Sequence, residues 1–558
     1  MYINISREKT LNFSIFTGML VTALLLTFSL KNYFSAQYTR NAGTGFKVEN
    51  LALAVKTDLA ARFLGNDERG MAFSGLSGSK ISKDPGPGDP VASDIPVLVY
   101  HGIVANPDRF STTEKIFIEQ MRALRKAGYY TITVDDFKQF MDGAKKLKDK
   151  AFLLTFDDGR TDSYTGADVV LQELGFNAVM FVATADSLPP HSNGYYLNTE
   201  TLTKMVSSGR WEIGSHAVQE NTKGGQIPID KDGTLGNFLS NKMWLVDSGR
   251  LETDREYEAR VTKELVQSKT DLEKTFGVNV MALSYPFSDY GQQTQNNPKA
   301  ISVINKIMRE NYSLAFQQTW PSESSNISNY ADMDDYHLLR TESGTTWTGD
   351  YIVRLLATAS TKPLPYSDTF AIDTGWRGTW GEKSISDNSL NLFSLDATTG
   401  SFAFLDGTRE WRDYFYALRA SLQKGTHVSL VSRFIDSNNN VACVFSVGIV
   451  RIEQKVNGVT TVMAHVPNPV SVPPDSIHFG MSVAGKVVKC FEGSRIVAST
   501  QRLSGKIDHG GIALQVWDTR THNAFLSVYS LDAVSIGESV SLIQTMPNYK
   551  VKGVGTKR

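Results

Sequence analysis

Cysteine is scarce in this chain of 558 residues, which contains only Cys443 and Cys490. A zinc site held mainly by cysteines, with three or four thiolates, needs more than two of them, so that class of metal site is excluded. In an oxidising compartment the two thiols could form a disulfide, which their spacing alone does not decide. Net charge is equally small, because 57 Lys and Arg against 58 Asp and Glu give a formal charge of -1. Nucleic acid is therefore not an expected partner.

The length exceeds that of one ordinary domain and permits two full hydrophobic cores. Changes in composition divide the chain into four parts. We predict a membrane anchor over residues 1–34, a flexible linker over 35–94, an α/β domain over 95–362 and an all-β domain over 363–558.

Residues 12–30 carry no charge and are mainly apolar, and their number is close to the ~20 residues that span a bilayer as a helix. This segment predicts a transmembrane helix that acts as an uncleaved signal anchor and places the rest of the chain outside the cytoplasm. The alternative is a cleavable signal peptide. The following segment is rich in Gly, Ser and Pro around residues 74–90, which is typical of a tether.

Four apolar runs in the α/β part end in polar or turn residues, at 95–102, 152–159, 211–216 and 280–287. Helical patterns lie between them, at Phe117 to Ala127 and Asp168 to Leu174, and a capping-box spacing at Thr253 and Glu256 opens a long helix. This alternation predicts a parallel barrel or sheet whose site lies at the C-terminal ends of the strands.

The second run delivers two adjacent carboxylates, Asp157 and Asp158, to its C-terminal end. Successive side chains of an extended chain point to opposite faces, so we expect the two to take different partners, one as a base and one as a metal ligand. The alternative is a surface turn, because Asp-Asp-Gly is common in turns.

Two histidines end other runs of the same set. His101 follows the first run and His216 follows the third. Alone, either one could be a structural residue, His101 as a cap on a buried carbonyl and His216 as a core histidine. A neutral imidazole near an aspartate is also what a Zn²⁺ site requires.

Together these motifs resemble a known family. The order Tyr100-His101, Thr155-Phe156-Asp157-Asp158-Gly159, Gly214-Ser215-His216 and Tyr285-Pro286 is similar to that of the polysaccharide deacetylases of carbohydrate esterase family 4, the NodB homology domain. Within the family, the resemblance is strongest to the branch of poly-N-acetylglucosamine deacetylases. It covers residues 95–340 and implies a distorted β/α barrel.

The resemblance implies a role for each residue. Asp157 would be the general base, Asp158 and His216 ligands of a divalent metal with Zn²⁺ as first candidate, and His101 the general acid. The backbone at Phe287 would bind the oxyanion. The implied substrate is an acetylated polysaccharide.

The chain departs from the family where a second histidine normally follows the first by four or five positions, since Glu220 and Asn221 stand there. Both are candidate third ligands, although an amide oxygen suits harder cations better than zinc. His191 and His337 are the remaining histidines of this part. Two hypotheses follow: an active metal-dependent deacetylase with an altered third ligand, or a catalytically impaired relative that binds glycan.

The C-terminal part consists of short alternating runs separated by turn residues, which predicts a jelly-roll-like β-sandwich. Four tryptophans in it could stack on sugar rings if exposed, or else belong to the core: Trp376, Trp380, Trp411 and Trp517. Carbohydrate binding by this part is a hypothesis.

Overall fold

The computed structural model describes residues 84–189, 194–220, 222, 224–319, 327–331, 333–395, 398–467 and 477–548. The predicted membrane helix and most of the predicted linker lie outside these ranges. Within them, every helix is too short or too polar to cross a bilayer.

Within the described residues, seven parallel strands form a closed ring in which the order around the ring is the order along the chain. The strands are β1 (Ile95–Tyr100), β2 (Ala151–Phe156), β3 (Ala178–Val182), β4 (Trp211–Ser215), β5 (Ala282–Ser284), β6 (Leu314–Thr319) and β7 (Leu338–Glu342). The ring closes at β1, where Leu98 pairs with Leu154 of β2 on one side and with Thr341 of β7 on the other. The predicted α/β barrel is confirmed.

Helices surround this ring. Those of at least eight residues are α1 (Glu114–Lys126), α2 (Val134–Met141), α3 (Thr161–Leu174), α4 (Thr199–Ser207), α5 (Asp254–Thr262), α6 (Ser268–Phe276), α7 (Ala300–Asn311) and α8 (Gly349–Ala359). A π-helical turn, Lys263–Gln267, joins α5 to α6. Every residue of β1, β2 and β3 is buried, because the helices cover the outer face of the ring and side chains fill its interior.

The segment after β4 forms two small hairpins before α5 begins. Gln226–Pro228 pairs with Leu235–Asn237, and Trp244–Leu245 pairs with Arg250–Leu251. Because the segment starts at the C-terminal end of β4, it lies on the side of the barrel where the predicted site residues lie.

Beyond α8, the chain forms two antiparallel sheets. Their strands are β8 (Tyr366–Asp368), β9 (Trp376–Trp380), β10 (Glu382–Ser386), β11 (Ser389–Phe393), β12 (Gly400–Leu405), β13 (Tyr414–Lys424), β14 (His427–Asp436), β15 (Asn439–Ser446), β16 (Ile449–Val456), β17 (Val459–Pro467), β18 (Ile477–Ala484), β19 (Val487–Glu492), β20 (Arg495–Thr500), β21 (Gly511–Trp517) and β22 (Phe525–Ser535). A short helix, α9 (Ser539–Thr545), follows them. In the described residues one sheet has the order β10-β11-β22-β13-β18-β19-β20, with β8 also on β22, and the other has the order β9-β12-β21-β14-β15-β16-β17.

Buried side chains from both sheets form one common core. Cys443 on β15 and Cys490 on β19 are bonded to each other within it, with their Cα atoms 5.8 Å apart. The disulfide therefore joins the two sheets. Trp376 and Trp411 are 2% and 5% exposed and belong to this core, whereas Trp380 and Trp517 are half-buried against a second cluster.

Candidate active site

The two carboxylates separate at the end of β2 because the chain leaves the extended conformation there. Asp158 has a φ of 71° and Gly159 a φ of 67°, in the left-handed region that favours glycine. A Cβ on Gly159 would also lie 2.9 Å from Ser187 Oγ. The turn sends Asp157 into the barrel and leaves Asp158 near its mouth, where its side chain is 35% exposed.

Asp157 is held by a buried arginine from the last strand of the ring. Arg340 donates from Nη1 to Oδ1 at 2.6 Å and from Nη2 to Oδ2 at 2.7 Å. Ser284 at the end of β5 also donates to Oδ2, at 3.1 Å. The side chains of Arg340 and Asp157 are 0% and 2% exposed, so three strands of the barrel meet at this carboxylate.

Burial by itself would raise the pKa of Asp157, since it disfavours the charged form. The charge of Arg340 and its hydrogen bonds, together with the charges of His216 and His101, outweigh that effect and hold the pKa of Asp157 well below its usual range. The carboxylate is therefore ionised at neutral pH. Its two bonds to Arg340 also fix the plane of the carboxylate.

His101 forms a second buried pair across the seam where the ring closes. Its Nδ1 lies 3.1 Å from Glu342 Oε1, and Gln318 Nε2 donates to the other oxygen of Glu342. Desolvation would lower the pKa of His101, but the bond and the charge of Glu342, with smaller contributions from Asp158 and Asp157, raise it to about 9. His101 is therefore an imidazolium at neutral pH.

Asp158 and His216 meet at the same mouth. The Nδ1 of His216 lies 2.9 Å from the carbonyl oxygen of Ser284, which fixes the ring and leaves Nε2 toward Asp158. Asp158 Oδ1 lies 3.4 Å from that Nε2. Two ligands of one tetrahedral Zn²⁺ that each lie ~2.0–2.2 Å from the ion are roughly 3.4 Å apart. The pair thus fits two neighbouring ligands of a divalent metal, and Ser284 fits the outer partner that orients a ligating histidine.

No third His, Cys, Asp or Glu joins these two among the residues that the structure describes. Glu220 was one of the two candidate third ligands. Its side chain is 47% exposed, and its Oε2 lies 3.0 Å from Lys263 Nζ. Glu220 thus lies at the surface beside Lys263. Asn221 and His191 lie outside the described residues, and His337 pairs with Asp334 at 3.2 Å.

Phe287 follows β5 in a short turn, Pro286–Ser288, with a φ of 57°. Its backbone is three residues from Ser284, whose carbonyl holds His216. Its side chain is 54% exposed, and its ring lies against Gly225. The structure thus brings Phe287 to the same mouth as Asp157, Asp158, His101 and His216.

Two residues of the site, Arg340 and Glu342, are absent from the sequence-based set. Both lie in β7, two positions apart, and therefore on one face of the strand. A strand that ends a predicted barrel and carries an arginine and a glutamate on one face is a usable signal, because such charges are rarely buried without a partner.

Part of the chain is similar to known proteins. Residues 144–303 match the family model for polysaccharide deacetylase. Over 200 residues the chain is 25% identical to YxkH of Bacillus subtilis, which is assigned to the polysaccharide deacetylases, covering 36% of this chain and 59% of that protein. It is also 25% identical over 190 residues to the poly-β-1,6-N-acetyl-D-glucosamine N-deacetylase of Escherichia coli K12, covering 31% of this chain and 27% of that protein.

The chain therefore spans 59% and 27% of the lengths of these relatives. Among solved structures, a de-N-acetylase from Aggregatibacter actinomycetemcomitans aligns with a TM-score of 0.38 at 19% identity, covering 47% of this chain and 98% of that one. By its match to the family model, the part of the barrel from residue 144 to residue 303 is similar to the polysaccharide deacetylases.

Proposed function

We propose that this protein removes N-acetyl groups from an N-acetylglucosamine-containing polysaccharide outside the cytoplasm, by metal-dependent hydrolysis. The observation that carries the proposal is the convergence of three pairs at one barrel mouth. Asp157 with Arg340, His101 with Glu342, and Asp158 with His216 supply an ionised carboxylate, a protonated imidazole and a ligand pair.

Asp157 is suited to take the proton of the attacking water. It is ionised at neutral pH, and Arg340 and Ser284 fix its orientation, so little reorganisation is needed when the proton is transferred. Its low pKa makes it a modest base. Asp158 and His216 would hold a divalent metal, which would supply polarisation of the amide carbonyl and of the attacking water.

His101 is suited to protonate the departing amine. Glu342 keeps it charged at neutral pH, and the amine cannot leave as an anion, so a proton donor within reach is required. Glu342 is a positioning residue, because it acts through His101. The backbone N–H of Phe287 is proposed as a donor to the oxyanion.

A second candidate function is glycan binding without catalysis. Its specific support is that only two metal ligands converge among the described residues. The test is metal analysis of the purified full chain together with acetate release from an N-acetylglucosamine polymer, in the wild type and in Asp157→Asn.

Bound metal together with acetate release that drops by about 10³-fold in Asp157→Asn supports the deacetylase. Polymer binding with no metal and no acetate leaves the glycan-binding function. Replacing Lys263, the surface partner of Glu220, with Met is a matched control that should change neither metal content nor acetate release, whereas Asn221→Ala should lower metal content if Asn221 is the third ligand.

We also propose that the protein is anchored in a membrane by residues 12–30, with the barrel in the cell envelope or periplasm. The uncharged segment supports an anchor, and the buried disulfide supports an oxidising compartment. Protease digestion of intact cells and of permeabilised cells tests this location. Protection of the barrel under both conditions would contradict it.

The C-terminal sheets, predicted over 363–558, are proposed to help retain the polysaccharide. Trp380 and Trp517 are half-buried and lie outside the common core, so they are the tryptophans of this part that a sugar can reach. Co-sedimentation of the full chain with insoluble glycan should weaken in Trp517→Ala. Equal retention of both proteins would reject the proposal.

A further inference from the structure

Phe110 and Phe287 are the most exposed aromatic side chains in the part of the chain that the structure describes. They are 45% and 54% exposed, and each other described phenylalanine, tyrosine or tryptophan is buried or half-buried. Leaving a phenyl ring in water forfeits the free energy that its burial would contribute. Both rings lie at the mouth of the deacetylase barrel.

Phe110 lies beside the proposed acid. Its ring centroid is 6.0 Å from that of His101, which directly follows β1. The backbone of its loop is fixed, because Asp108 Oδ1 accepts from the N–H of Phe110 at 2.8 Å and from that of Ser111 at 2.7 Å. The exposure of Phe110 is therefore a property of an ordered loop.

Phe287 is held in place at a conformational cost. A φ of 57° is uncommon for a bulky residue, and such strain collects at functional sites. Its ring packs so closely on Gly225 that a Cβ there would lie 1.8 Å from a ring carbon. Gly225 belongs to the segment after β4, which thus positions the exposed ring.

The ring order places the two aromatics on opposite sides of the mouth. Around the ring, β5 lies three strands from β1 on the side of β7 and β6, and four strands from β1 on the side of β2, β3 and β4. Phe110 follows β1 and Phe287 follows β5, while Asp158 and His216 follow β2 and β4. The ligand pair therefore lies between the two exposed rings.

We infer that Phe110 and Phe287 stack on sugars on either side of the sugar being deacetylated, so that the enzyme binds an internal stretch of a linear polysaccharide. This inference rests on the proposed function. An apolar sugar face stacks on an aromatic ring as other flat apolar surfaces do, and two such platforms across one site require a substrate of at least three sugars. A single sugar can contact one platform at most.

The test is the dependence of kcat/KM for acetate release on the length of N-acetylglucosamine oligomers, from the single sugar to the long polymer. The kcat/KM of wild type should rise steeply with oligomer length. Phe110→Ala and Phe287→Ala should each lose about ten-fold of that rise, mainly through a higher KM. Phe110→Trp and Phe287→Tyr should keep most of the rise of kcat/KM with length. Ile301→Ala is the control: it shortens a 42% exposed side chain on α7 and should keep the full rise.

Equal thermal midpoints exclude misfolding of a variant, and the aromatic replacements serve where an alanine variant does not fold. If the kcat/KM of wild type rises with oligomer length and the alanine variants keep the full rise, the inference is overturned and the proposed function stands. A wild type whose kcat/KM does not depend on length also overturns it. No acetate from any substrate overturns the proposed function, and the inference with it.

Discussion

Asp157 and Arg340 form a buried ion pair with two hydrogen bonds, so two opposite charges lie where water does not reach. Burying an isolated charge is costly, and the cost is met only while the partner is present. Each residue is thus needed by the other, apart from any role in chemistry.

Replacing Arg340 with Met should therefore lower the free energy of unfolding by about 3–5 kcal/mol, measured by urea denaturation. The double variant Asp157→Asn, Arg340→Met should recover part of that loss, because no charge is left unpaired, while acetate release stays absent. Arg309→Met is the control: it removes an exposed pair with Asp334 and should cost at most about 1 kcal/mol. Equal losses in the two single variants would contradict this view of the buried pair.

The charge on His101 predicts a pH profile. With a pKa of about 9, the acid is lost only as pH rises through that value, so kcat should fall on the alkaline side near pH 9. Glu342→Gln removes the main cause of the raised pKa, and the alkaline limb should move toward the ordinary range of histidine. The pH dependence of kcat with saturating polymer measures both.

Glu119→Gln is a control for this shift, because Glu119 pairs with a backbone N–H at Gly349 and not with His101. Its alkaline limb should stay in place. The charge on His101 also affects stability. Because its pKa in the folded protein is higher than the unfolded value of 6.5, His101 stabilises the fold fully below pH 6.5, and this contribution is lost as pH rises through about 9. If the alkaline fall of kcat stays at the same pH in Glu342→Gln, a group other than His101 causes that fall.

The residues of the site divide by how they could be predicted. Asp157, Asp158, His101 and His216 end apolar runs, and the rule that strand ends carry active sites selects them. Arg340 and Glu342 lie inside a strand, and their importance depends on which strand closes the ring, which a local pattern does not contain. The opposite fates of Asp157 and Asp158 were expected from strand alternation, but they arise from the left-handed turn at Asp158.

Among the elements, the helix formed by α5 and α6 begins at a capping box. The Thr253 hydroxyl accepts from Glu256 N–H at 3.3 Å, and the Glu256 carboxylate accepts from Thr253 N–H at 2.8 Å. The capping box predicted from the sequence is confirmed.

Thr253→Ala should lower the free energy of unfolding by about 1 kcal/mol, because it leaves the backbone N–H of Glu256 without its side-chain acceptor. Thr270→Ala is the matched control. Thr270 is exposed and donates back to the carbonyl of Val266 within the same helix, so alanine there should be neutral or slightly stabilising. A loss of equal size at both positions would argue against the cap.

Strands were predictable where an apolar run ends at a recognisable polar motif. This holds for β1, β2, β4 and β5. The strands β3 and β6 lack such an ending, and a short apolar run alone does not distinguish a strand from a buried helix. In the C-terminal part, a turn at 447–448 divides the mainly apolar run 441–450 between β15 and β16.

At the scale of the whole molecule, the disulfide joins two sheets through residues 47 positions apart. In the chain-entropy model, closing a loop of that length stabilises the fold by about 4 kcal/mol. The double variant Cys443→Ala, Cys490→Ala should therefore unfold its C-terminal sheets at a lower temperature, measured by calorimetry of the full chain.

Acetate release at moderate temperature should be unchanged in this variant, because the barrel has its own core. Wild type treated with a thiol reductant under partly denaturing conditions provides the matching comparison. Identical transitions with and without the disulfide would contradict the prediction.

The division into an α/β part and an all-β part was predictable because periodicity of apolar residues changes near residue 363. The pairing of Cys443 with Cys490 was not, because it depends on how two sheets stack rather than on spacing. The third metal ligand stays a prediction: the local pattern suggested Glu220 or Asn221, and in the structure Glu220 pairs with Lys263 at the surface while Asn221 lies outside the described residues.

Closure of the barrel by β1 against β7 has a consequence for biosynthesis. His101 leaves the ribosome early, but Glu342, which charges it, and Arg340, which anchors Asp157, emerge some 240 and 180 residues after their partners. A nascent chain that ends before β7 therefore has neither the tuned acid nor the anchored base. The proposed site is therefore complete only after β7 has been synthesised.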